Sequence, residues 1–88
     1  MPDKRIVKHA QLIANTVFPE LSPQQAVSLL LSLLYSREDV CELMSIQPST
    51  LRTHLSRGMK TMRQTRGYLD SEELKLIAFE RLAQAVEI

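Results

Sequence analysis

Between Gln47 and Gly67 the chain carries Arg52, Arg57, Lys60, Arg63 and Arg66 and no acid. The hydroxyls of Ser49, Thr50, Thr53 and Ser56 are interleaved with these five cations. Guanidinium and ammonium groups neutralise phosphates and read guanine edges, while small hydroxyls bond phosphate oxygens or bases without filling a groove. The chemistry on offer is contact with a polyanion; a solvated helix face is the plainer alternative. Catalytic chemistry has no comparable cluster. Neither His9 nor His54 has a Cys, Asp or Ser at helical spacing with which to form a dyad, and Cys41, beside Val40, reads as a small packed residue. One cysteine with two histidines makes neither an internal disulfide nor a four-ligand zinc site without added carboxylates. No enzyme, metal or cofactor is expected. Met44, Met59 and Met62 read as core filler.

The elements that must position the cations belong to a short chain. At 88 residues it holds one domain, with or without a helical extension, and a two-domain enzyme is excluded. A chain of this size buries only roughly 60% of its unfolded surface, so tight packing or a second subunit must supply the rest of the stability. A composition that is 44% hydrophobic and 24% charged is globular. The net charge of +1 hides an asymmetry: residues 1–35 carry +1, residues 36–67 carry +3 and residues 68–88 carry −3. A basic segment followed by an acidic tail suggests a polyanion on one face and a different partner on another. The longest apolar run, Leu29 to Leu34, is broken by Ser32 and falls far short of the roughly 20 residues that span a bilayer. With no signal-like stretch after Lys4, Arg5 and Lys8, a cytoplasmic protein with no membrane partner is expected.

No alternating pattern is long enough for a strand, so the fold class is all-α, a small bundle of about five helices. The first runs from about Lys4 to Val17 and stops at Phe18-Pro19. Ser22 caps the second, with Pro23 at its first position, and its nearly all-round apolar sequence to about Leu34 makes it the buried centre. Ser36 caps a short third helix with Val40, Leu43 and Met44 inward. Pro48-Ser49 opens the fourth, with Leu51, Leu55, Met59 and Met62 on one side and the cations and hydroxyls on the other. Gly67 ends or interrupts it. Asp70 or Ser71 caps the fifth, where Leu74, Ile77, Ala78, Leu82, Ala85 and Val86 form a stripe widened by Leu76, Phe79 and Ala83. That stripe is broader than one small core needs, and a second copy of the chain is the simplest partner for it.

A short helix, a turn of about four residues and a second helix with a polar outer face follow the helix-turn-helix plan, in which the second helix enters the DNA major groove. The run Leu21-Ser22-Pro23 through Ser36-Arg37-Glu38-Asp39-Val40-Cys41-Glu42-Leu43 to Ile46-Gln47-Pro48-Ser49-Thr50-Leu51-Arg52-Thr53-His54-Leu55 resembles the LuxR/FixJ/GerE type of DNA-binding domain over roughly residues 21–83. The stretch Leu55-Ser56-Arg57-Gly58 is similar to region four of extracytoplasmic-function sigma factors, a structural cousin. Gly58 stands where the family normally has a large apolar residue, at a cost of roughly 1 kcal/mol in helix propensity.

Residues 1–18 belong to neither pattern and are expected as an N-terminal helical extension of a LuxR-like domain, residues 19–88. The resemblance implies that the helix 48–63 is the recognition helix and that the last helix mediates dimerisation. Carried over by position, Thr50 bonds a phosphate, Arg52, Thr53 and Arg57 face bases or phosphates, and Lys60 holds the flanking backbone. Together with Ser49, Ser56 and Arg63 these form the expected DNA-binding set; Leu74, Ile77, Ala78, Phe79, Leu82 and Val86 form the expected dimer interface. The expected protein is a dimeric transcriptional regulator bound to double-stranded promoter DNA, with another regulator or RNA polymerase as a further partner. The alternative is a protein-interaction module, a co-regulator or anti-activator, that uses the same fold and its acidic last helix to hold another regulator. Residues 1–18 are left to pack on the core, cover the recognition helix or contact a partner.

Overall fold

The structure, a computed structural model, describes residues 3–67 and 69–85 in full and the backbone of Val86. These residues form five α-helices and no strand: α1 Arg5–Val17, α2 Pro23–Leu34, α3 Arg37–Met44, α4 Pro48–Arg66 and α5 Ser71–Val86. No described helix is long and apolar enough to cross a membrane.

Local chemistry sets most of the boundaries. The Ser22 hydroxyl accepts from the Gln25 amide at 3.4 Å, with Pro23 at the first helical position. The Ser36 hydroxyl accepts from the Asp39 amide at 3.2 Å, and the Asp70 carboxylate accepts from the Glu73 amide at 2.9 Å. Each cap satisfies an amide that the first turn leaves without a helical partner. Asp70 rather than Ser71 therefore caps α5. At the other ends, Gly67 closes α4 with φ of 82°, and Ser45 closes α3 in the left-handed region with φ of 55°. The second of these is costly for a residue with a Cβ, and it lets α4 start only three residues after α3.

The apolar sequence of α2 makes it the hub. Ala26, Val27, Leu29, Leu30 and Leu31 are all buried, and α2 packs against each of the other four helices. Ser28 is buried among them and donates its hydroxyl to the Met44 sulfur at 3.5 Å. Residues 1–18 have their answer in the packing: Ala10, Ala14, Val17 and Phe18 are buried in the same cluster as Val40, Leu51 and Leu74, so α1 is part of one continuous core. It lies on α2 and α5 and touches α3. Neither α1 nor α5 approaches α4 at backbone packing distance.

Glu20, in the connection between α1 and α2, fastens the far ends of the chain together. Arg81 of α5 donates to it from both terminal guanidinium nitrogens at 2.8 Å and also donates to the Val17 carbonyl at 2.7 Å. Arg66, at the end of α4, lies 3.8 Å from the same carboxylate. Both side chains of the Glu20–Arg81 pair are only 18% exposed. The bond from Arg81 holds the Glu20 carboxyl below its ordinary value of 4.5, with Arg66 adding a smaller pull. A lowered native pKa means that the stabilisation is complete above the unfolded value and is lost as pH falls through the native one. The expected result for Glu20→Gln is a loss of about 2 kcal/mol at neutral pH, the scale of a partly buried, charge-assisted pair. Urea denaturation from neutral pH into the range below 4.5 checks it, because the gap between the two proteins should close with acid.

Candidate functional site

The 19 residues of α4 form a helix roughly 28 Å long at 1.5 Å per residue. Its inner side carries the expected Leu51, Leu55, Met59 and Met62, with Leu55 and Met59 half-buried against the core, and Gly58 joins them as a buried position. The reason is the approach of α4 to the start of α2. A Cβ at Gly58 would lie 3.5 Å from Leu21 Cδ1 and 3.6 Å from Gln25 Cβ, so there is room for one methyl group. A longer apolar side chain would push the helices apart. Gly58→Ala is accordingly expected to raise unfolding free energy by about 0.5–1 kcal/mol, through helix propensity at ordinary contact distance. Gly58→Leu should lower it, and a shift of the two denaturation midpoints in the same direction would contradict this packing.

On the outer side, Ser49, Arg52, Thr53, Ser56, Arg57, Lys60 and Arg63 are exposed and Thr50 is half-buried. The expected cation and hydroxyl residues thus share one helix and lie at its surface. Two qualifications come from the geometry. Thr53 donates its hydroxyl to the Ser49 carbonyl at 3.1 Å, which leaves its oxygen to act as an acceptor. Arg66 turns back to Glu20, so the last cation of the basic segment belongs to the clasp as much as to this face. His54 is half-buried beside the stripe.

A residue not singled out in the sequence joins the site. Arg37, the first residue of α3, lines a cleft of about 280 Å³ together with Arg52, Leu55, Ser56, Met59 and Arg63. The half-exposure of Leu55 and Met59 is the floor of this cleft. A larger hollow of about 470 Å³ continues from it toward Leu69 and Leu74, past Ser32, whose buried hydroxyl has no hydrogen-bond partner. No local signal ties Arg37 to Arg52 or Arg63, since they are 15 and 26 positions apart and meet only because α3 folds back on α4. Among the described residues no acidic side chain lies on α4, and no group of three or more His, Cys, Asp or Glu residues could hold a metal. This arrangement can hold anions through several cations on one rigid rod.

No family model, no curated protein and no solved structure matches the chain.

The second expected surface lies elsewhere. Leu74 and Ala78 are 3% and 5% exposed and are occupied by the chain's own core, because α5 packs them against α1 and α2. Ile77 and Leu82 are half-buried against the same core. Phe79 stands out at 72% exposure, and the Val86 side chain lies outside the described residues. Leu76, at 62%, joins Phe79 on the open side of α5.

Proposed function

We propose that the chain is a transcriptional regulator that binds double-stranded promoter DNA as a dimer, with α4 as a recognition helix in the major groove and α3 and α4 as a helix-turn-helix. One observation carries this reading: the outer face of α4 is cationic, hydroxyl-rich, free of acid and left uncovered by α1 and α5. A helix with its side chains is roughly 10–12 Å across, the width of the major groove at roughly 12 Å. The short α3, the three-residue connection and the start of α4 at Pro48 have the lengths that such a motif uses. Arg37 adds a cation beside the groove-facing residues, where a phosphate of the flanking backbone would pass. The resemblance of Ile46 through Leu55 to the LuxR/FixJ/GerE type supports the same assignment.

The test is a gel-shift of the purified chain on pooled promoter fragments at two salt concentrations, with its mass in solution measured in parallel. Discrete complexes that weaken steeply with salt are expected, because each neutralised phosphate contributes about 0.9 to the slope of log affinity against log salt. A folded protein that gives no shift at the lower salt would overturn the reading.

A further inference from the structure

An apolar groove of about 240 Å³, to which α4 contributes no residue, lies between α1 and α5 and is floored by the end of α2. Ile13, Leu30, Leu33 and Leu34 line one part of it, and Phe79 stands on its rim. A protruding ring beside a socket is a self-complementary pair: a two-fold axis through this face carries each ring into the other copy's groove. The two helices that wall the groove each carry one more exposed leucine, Leu12 of α1 at 78% and Leu76 of α5 at 62%.

The charges around those leucines determine how two copies meet. Lys8 precedes Leu12 by four residues and Arg5 by seven, so both share its side of α1, which contains no acid. Glu72 and Glu80 lie four residues before and after Leu76, and Glu73 lies three before it. Arg5 is bonded to Asp3 and Lys75 to Glu72, and Arg81 is committed to Glu20, which leaves Lys8 as the cation beside Leu12 and Glu73 and Glu80 as the anions beside Leu76. Pairing α5 with its own copy would set glutamates against glutamates. Pairing α1 with α5 of the other copy sets Lys8 against Glu73 and Glu80, with Leu12 on Leu76.

We propose that this face is the seam of a homodimer in which α1 of each copy crosses α5 of the other and each Phe79 occupies the partner groove. The inference deepens the dimeric part of the proposed function and rests on that part alone, since α4 lies outside the seam. It assigns α1 a role that the resemblance, which begins near residue 21, does not supply.

Sedimentation velocity on the full chain over a range of concentrations tests it, with circular dichroism to confirm the fold of each variant and the promoter gel-shift run separately. A concentration-dependent dimer is expected, weakened at least tenfold by Phe79→Lys. Lys8→Glu and Glu80→Lys should each weaken it several-fold, and both changes in one chain should restore most of the affinity, because the charges are exchanged across the seam. An α5-on-α5 dimer predicts the opposite for Glu80→Lys, a tighter dimer, with no effect of Lys8→Glu; that result would overturn the crossed arrangement. A folded chain that stays monomeric at every concentration would overturn the dimer itself, whatever the gel-shift shows.

Discussion

Alanine at both Arg52 and Arg57 is expected to lower promoter affinity at least a hundredfold at fixed salt. A bidentate contact to a base is worth about 1–3 kcal/mol, and each cation that neutralises a phosphate adds to the salt-dependent part of the affinity. Loss of both side chains should therefore also flatten the dependence of log affinity on log salt, by about one unit for each of the two that contacts a phosphate. Both residues are exposed on α4, so unfolding free energy should change by less than about 0.5 kcal/mol per site. Arginine-to-lysine changes separate the two roles: lysine keeps the charge and most of the salt slope but loses the planar fork that reads a base. Fluorescence anisotropy titrations at two salt concentrations give both quantities. Affinity within twofold of the parent at both salts would remove α4 from the interface.

Leu31→Ala is expected to cost about 3 kcal/mol of unfolding free energy. Leu31 is fully buried in α2, the one helix that packs against all four others, so the void cannot be closed by a shift of a single neighbour. A chain of 88 residues has a total stability of about 4–13 kcal/mol, which makes this a large fraction of it. Urea denaturation measures the loss, and a value under about 1 kcal/mol would mean that the helices can close around the missing atoms. Any fall in DNA binding by this variant should track its unfolded fraction, in contrast to the arginine variants, which are expected to lose affinity while folded.

Most helix boundaries were legible because they depend on local chemistry. Ser22 and Pro23, Ser36, and Pro48 set starts through hydrogen bonds or fixed φ angles within a turn of the chain, and Gly67 closes α4 at a positive φ. Ser45 escaped notice, since a serine in the left-handed region carries no sequence signal; the need to turn α3 into α4 within three residues imposes it. The burial of Gly58 on the inward side of α4 was not legible for a related reason. Periodicity places Leu51, Leu55, Met59 and Met62 on the inner side, where all four lie, but which arc of an amphipathic helix is buried deepest depends on where its neighbour crosses. The crossing near Leu21 and Gln25 selected Gly58.

Taken alone, the sequence determined an all-helical chain, the order and approximate ends of five helices, the central place of α2, and a segment with cations and hydroxyls but no acid. These follow from propensity, capping and the 3.6-residue period, all of which act between residues at most a few positions apart. Only the tertiary structure decided that α1 joins the common core and leaves α4 uncovered, that Arg37 stands beside Arg52 and Arg63, that Arg81 is held by Glu20, and that Leu74 and Ala78 turn inward while Leu76 and Phe79 turn out. Each of these sets the position of one helix relative to another. That position is chosen by the best shared burial of several apolar faces at once, which no single segment encodes.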